Sequence, residues 1–159
     1  MPLFTDLSQL RVLVLDDDPF ALAIAEQALR SIGVKAIDSF DSALAAEKAL
    51  TRRSGHDVVL CDLQMPDVDG VQFLRWLAET HSELPVILMS AIGEEILRAA
   101  AELAKEYRLR VLASIAKPVS ASALSEALLR DFDQSARALT TADTRTLSPV
   151  EVMSAIEEH

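Results

Sequence analysis

The chain has 159 residues, enough for one domain with a core of its own and too few for two of ordinary size, so one domain and a tail are expected. Half of it, 50%, is hydrophobic, yet no apolar run is long enough to cross a bilayer, and the opening Met1-Pro2-Leu3-Phe4-Thr5-Asp6 lacks the basic stretch of a signal peptide; a soluble, cytoplasmic protein is the expectation. With 15 Lys and Arg against 25 Asp and Glu, the formal charge of −10 repels phosphate backbones and anionic lipid, so neither nucleic acid nor a membrane is an expected direct partner.

Taken in order, Arg11-Val12-Leu13-Val14-Leu15 is an apolar run of strand length that stops at Asp16-Asp17-Asp18, with Pro19 following. Asp18 suits a helix N-cap and Pro19 the first helical position, where a missing N–H costs nothing. Phe20, Ile24, Ala28 and Ile32 then recur at helical spacing until Gly33. Val34 to Phe40 reads as a weaker second strand, and Asp41 or Ser42 as the cap of an alanine-rich helix running to about Arg52. Val58-Val59-Leu60-Cys61-Asp62 is a continuous apolar run ending in a carboxylate, as expected of a strand buried on both faces of a parallel sheet. Pro66 and Gly70 punctuate the loop after it, and a helix carrying Val71, Phe73, Leu74 and Leu77 ends near His81. Leu84 to Met89 is a fourth strand ending at Ser90-Ala91, and Glu94 to Tyr107 a fourth helix. Arg110 to Ala116 is a fifth strand ending at Lys117-Pro118, and a fifth helix with Leu124, Ala127 and Leu128 on one face starts at Ser120.

Strands alternating with helices predict a doubly wound parallel sheet of the α/β class, because parallel neighbours need crossover connections. That arrangement gathers Asp16, Asp17, Asp62, Ser90 and Lys117 at the carboxyl edge, where open α/β sheets bind ligands. Carboxylates brought together without basic neighbours must be solvated, protonated or bound to a cation, and an all-oxygen set suits Mg²⁺ shared with a phosphate. A lysine ammonium and a serine hydroxyl then complete what a transferring phosphoryl group requires. Asp62 is the expected acceptor. The single cysteine, Cys61, reads as a small buried hydrophobe. His56, His81 and His159 lack the spacing of a zinc site and read as loop or terminal residues.

Val14-Leu15-Asp16-Asp17-Asp18-Pro19, Asp62-Leu63-Gln64-Met65-Pro66 with Gly70, Ser90-Ala91 and Lys117-Pro118 together resemble the signature of response-regulator receiver domains, over about residues 10 to 135. The resemblance implies a flavodoxin-like five-stranded sheet of order 2-1-3-4-5 and a two-component role, in which a sensor histidine kinase or phosphotransfer protein passes a phosphoryl group to aspartate. By position, Asp62 matches the phosphoacceptor, Asp16 and Asp17 the acidic pair that holds Mg²⁺ with Asp62, and Gln64 the residue whose backbone carbonyl completes the metal site. Ser90 matches the switch hydroxyl and Lys117 the phosphate-pairing lysine, and the Lys117-Pro118 bond is implied to be cis. A covalently linked output domain is the implied partner, and a homodimer is a further expected assembly. No separate metabolic substrate is implied: the chain is expected to be a signalling module and not an enzyme beyond its own phosphoryl turnover.

Two positions depart from the pattern. Ser114 stands three residues before the lysine, where receivers usually carry an aromatic switch residue, and the interval from Ser90 to Lys117 is longer than in compact receivers, which implies a fourth helix longer by a turn or so. The expected organisation is a lead-in over 1–9, the receiver over 10–137, a threonine-rich linker over 138–147 and a short helix over 148–159. Ser148-Pro149-Val150-Glu151 opens that helix as a capping box, and the segment resembles the helix that begins EAL domains, the cyclic di-GMP phosphodiesterases. The competing readings are a phosphorylation-independent interaction module of the same fold, suggested by Ser114, and a Mg²⁺-dependent aspartyl-phosphate phosphatase. The latter usually places a second Asp where this chain has Gln64.

Overall fold

The structure is a computed structural model that describes residues 7–52, 55–65, 70–81, 83–91 and 93–129. A 3-10 turn at Leu7–Gln9 leads into β1, Arg11–Leu15, and the chain then alternates: α1 Pro19–Ser31, β2 Ala36–Phe40, α2 Ala43–Arg52, β3 Val58–Asp62, α3 Gly70–Thr80, β4 Val86–Ser90, α4 Glu94–Glu106 and β5 Val111–Ala116. Residues 121–129 form α5. All pairings are parallel, and the sheet order is β2-β1-β3-β4-β5. The doubly wound class and the strand order are as expected. The Lys117-Pro118 bond is cis.

The order explains the composition of the strands. β3 and β4 are buried at every residue, and β1 at all but Arg11, because helices cover both faces of the centre. Alternate side chains divide between two cores: Leu13, Leu15, Val59, Cys61, Val86 and Leu88 face α2, α3 and α4, while Val12, Val14, Val58, Leu60, Ile87 and Met89 face α1 and α5. The edge strand β2 is half-buried throughout, and at the other edge Ser114 of β5 is exposed.

Local chemistry sets the helix starts. The Phe20 N–H donates to Asp18 Oδ1 at 3.0 Å, and the Ala45 N–H to Ser42 Oγ at 3.0 Å, so Ser42 is the residue that caps α2 through its side chain. The apolar stripe of α1 is as expected at Ile24, Ala28 and Ile32, which pack partly buried against the core, and departs from expectation at Phe20. Ala25 and Leu29 face the core, while Phe20 is 72% exposed, because the first turn of α1 overhangs the carboxyl edge where no strand continues beneath it. β2 begins at Ala36 and not at Val34: the Val34 N–H bonds back to Leu29 O at 3.0 Å, closing the end of α1. His56 lies in a loop as expected, but its side chain is only 1% exposed and its Nε2 meets Asp38 Oδ2 at 2.7 Å. The expected linker and terminal helix lie outside the described residues.

Gly70 begins α3 hard against the end of β3. A Cβ there would stand 2.6 Å from Leu63 Cα and 2.7 Å from Asp62 O, both backbone atoms that cannot yield. Gly70→Ala is therefore expected to destabilise the domain by about 1–3 kcal/mol, the usual cost of overpacking, in urea titration; an unchanged midpoint would contradict this close approach.

Candidate functional site

Each residue singled out at the carboxyl edge is delivered by the end of a strand. β1 and β3 are neighbours in register, Leu15 opposite Cys61, so the residues that follow them, Asp16 and Asp62, lie side by side. Both are buried, at 0% and 1% exposure, and one oxygen each from Asp16, Asp17 and Asp62 lie within 4.8 Å of one another. β4 supplies Ser90, 1% exposed, and β5 runs on to Lys117, whose N–H donates to Ser90 O at 2.9 Å. The Lys117 ammonium sits 2.6 Å from Asp16 Oδ2 and 3.3 Å from Asp62 Oδ1.

The remaining contacts hold this arrangement from the loops. The Asp18 N–H donates to Asp16 Oδ1 at 3.0 Å, and the Gln64 N–H to Asp62 Oδ1 at 3.1 Å. Ser90 Oγ donates to the side-chain Oε1 of Gln64 at 3.4 Å. The resemblance implies a role for Gln64 through its backbone carbonyl alone; nothing in a one-dimensional pattern tells that its side chain turns toward β4.

Electrostatics follow from this packing. Burial raises the Asp62 carboxyl and the Asp16 carboxylate raises it further, while the Gln64 N–H and the Lys117 ammonium pull it down; the outcome is a pKa of about 6. Burial also disfavours the Lys117 ammonium, but its bonds and attraction to Asp16 and Asp62 outweigh that and leave its pKa above the ordinary value. The Cys61 thiol is pushed up by burial and by the two carboxylates, so it stays protonated and inert, as its reading as a buried hydrophobe expects.

The donor set fits a hard divalent cation. Asp16 Oδ2 is buried and receives no well-directed hydrogen bond, having only the Lys117 ammonium beside it. One hard oxygen each from Asp16, Asp17 and Asp62 converge, and the cluster includes no histidine or cysteine. Among the described residues no other group of three acidic, histidine or cysteine side chains converges in this way.

A parallel sheet of order 2-1-3-4-5 with an acidic cluster and a lysine at its carboxyl edge places the chain in the flavodoxin-like class of α/β folds. Comparison with known proteins makes the family specific: the response regulator receiver domain model matches residues 12–129, and the chain belongs to that family. A cyclic di-GMP phosphodiesterase of Pseudomonas aeruginosa, RocR, is 32% identical over 126 residues, which are 78% of this chain and 32% of that protein. The two-component response regulator ARR11 of Arabidopsis thaliana is 39% identical over 85 residues, 54% of this chain and 16% of that one. Among solved structures, a response regulator from Colwellia psychrerythraea superposes with a TM-score of 0.65 at 28% identity, covering 80% of this chain and 99% of the other. The chain thus spans a third or less of the curated relatives it matches. No described helix is long and apolar enough to cross a membrane.

The raised Asp62 pKa has a signed consequence. Its folded value, about 6, exceeds the ordinary value of 3.8, so the folded protein binds more protons than the unfolded chain between those two values and loses stability as pH rises through that window. Asp62→Asn cannot ionise. In metal-free buffer it should match the wild type near pH 4 and exceed it at pH 7.5, on the order of 2 kcal/mol by urea titration. A constant difference across that range would remove burial as the cause.

Proposed function

We propose that this receiver takes a phosphoryl group from a phosphohistidine of a sensor histidine kinase or phosphotransfer protein onto Asp62, in the cytoplasm, and relays that state to a covalently linked output domain. The observation that carries the reading is a nearly dry carboxylate at the end of the central strand, in contact with an acidic partner on one side and an ammonium on the other.

Transfer consists of attack by an Asp62 carboxylate oxygen on phosphorus. A P–O bond forms, the P–N bond breaks, and its electron pair returns to the donor imidazole. Water later cleaves the acyl phosphate, releasing inorganic phosphate and restoring the carboxylate. Lys117, already 3.3 Å from Asp62 Oδ1, neutralises charge on the incoming group, and the Ser90 hydroxyl turns from Gln64 to donate to a phosphoryl oxygen. Asp16, Asp17, Asp62 and the Gln64 backbone carbonyl would hold Mg²⁺, which supplies further neutralisation of phosphoryl charge. The Gln64 N–H keeps Asp62 oriented. Beside this mouth an apolar cavity of about 390 Å³, lined by Phe20, Ile24, Met89, Pro118 and Val119, offers the donor an anchor.

Extent and output belong to the same proposal. The receiver occupies 10–137 after a lead-in of 1–9, the segment 138–147 is a linker, and 148–159 begins an EAL phosphodiesterase domain controlled by Asp62. Support comes from the terminal segment that resembles the opening helix of such domains, with RocR, a cyclic di-GMP phosphodiesterase, among the relatives. A homodimer is the assembly proposed for signalling. The exposed Ser114 favours one rival, an interaction module of receiver fold that works without phosphorylation.

With acetyl phosphate and Mg²⁺, intact-mass spectrometry should show one added phosphoryl group on the wild type and none on Asp62→Asn; equal modification of both, or none on either, favours the rival. Asp17→Ala should weaken Mg²⁺ binding about tenfold or more, while Lys117→Ala should spare it and blunt the response to phosphorylation. For the output, the reading frame should continue past His159 into an EAL domain whose cyclic di-GMP hydrolysis changes on phosphorylation, and the 159-residue chain should not cleave that nucleotide. A DNA-binding domain downstream would overturn the output.

A further inference from the structure

One residue touches both the acceptor and the switch. The Gln64 N–H donates to Asp62 Oδ1 at 3.1 Å, while the Gln64 side-chain oxygen accepts from Ser90 Oγ at 3.4 Å. Its backbone and its amide therefore join the ends of β3 and β4 across the site. On the far side of β4, where the family pattern places an aromatic ring, Ser114 is small and exposed, so a moving Ser90 hydroxyl has no ring at that position to drive. Gln64 itself is half-buried, and it leads directly into Met65, which packs on the core beneath α3.

We propose that the Gln64 side chain is a positioning residue that latches the Ser90 hydroxyl in the unphosphorylated protein and, once that hydroxyl is drawn to a phosphoryl group on Asp62, carries the change into the loop after β3 instead of to β5. The inference rests on the phosphoacceptor role of Asp62. A hydroxyl that donates to the amide oxygen of Gln64 cannot donate the same proton to a phosphoryl oxygen, so the two bonds compete. The latch stabilises the resting state and lowers apparent affinity for anything that mimics phosphorylation. Freed of Ser90, the Gln64 side chain must find a new partner, and the segment it belongs to is the one that leads toward α3. Trp76, the only tryptophan in the chain, lies on α3 with its ring 5.9 Å from that of Phe73 and reports on that path.

The test is a double-mutant cycle with beryllofluoride as the phosphoryl mimic and Mg²⁺ saturating for each protein. Wild type, Gln64→Met, Ser90→Ala and the double variant are compared by calorimetry, with circular dichroism to establish folding and Gln64→Ala as the second variant should Met not be accommodated. Methionine keeps the length of glutamine and removes the acceptor oxygen. Gln64→Met should bind beryllofluoride about fivefold more tightly than the wild type, the value of one neutral hydrogen bond, and the same substitution should change nothing in the Ser90→Ala background. Equal affinities of wild type and Gln64→Met, or a gain of the same size without Ser90, would overturn the latch. In amide spectra of the wild type, shifts on adding the mimic should concentrate at 63–65 and along α3; shifts largest at 111–116 would overturn the proposed route. Wild type and Asp62→Asn responding alike would instead overturn the phosphoacceptor reading, and the latch with it.

Discussion

Two carboxylates that water barely reaches, Asp16 and Asp62, are held next to each other by the pairing of β1 with β3, and a single ammonium, Lys117, answers both. In a low-dielectric setting such a triad costs free energy to assemble, because two buried carboxylates share one ammonium and their charges are not fully compensated. The surrounding features make sense as ways of tolerating it. Asp18 and Gln64 each place a backbone N–H on one of the carboxylates, the backbone of Lys117 is tied to Ser90, and Gly70 lets α3 start against the backbone of Asp62 and Leu63.

This tension is what makes the site chemically useful. Had Asp62 been fully solvated, it would be an ordinary surface carboxylate; had it been paired tightly with one lysine, its charge would be spent before any substrate arrived. Instead its pKa stands near 6, between the pull of Lys117 and Gln64 and the push of burial and Asp16. A carboxylate balanced in this way gains from any added positive charge and from any reaction that disperses its own. Such a balance marks a site of chemistry and not one that stabilises the fold.

The chain spans only a minor part of each curated relative compared with it. Ser114 on the edge strand β5 is exposed, whereas Gln64 and Met65, which follow β3, touch Asp62, Ser90 and the core. Phe20 lies exposed at the lip of the site.

The sequence by itself determined the elements and the list of site residues. Strands buried on both faces must be apolar throughout, so β1, β3 and β4 announced themselves, and a polar residue at the end of each such run has nowhere to go but the sheet edge. The spacing of apolar residues also placed Leu124, Ala127 and Leu128 correctly on the buried side of α5. Tertiary structure decided what local pattern could not. Phe20 fits the helical period of α1 but lies beyond the end of the strands, His56 looked like a loop residue until Asp38 met it from another strand, and Gln64 acquired a second role when β4 brought Ser90 within reach. Periodicity records which side of an element is apolar; it carries no information about which neighbour stands opposite a given polar atom. That is settled by the register of non-adjacent strands and by the packing of loops over their ends, where short-range propensity has no say.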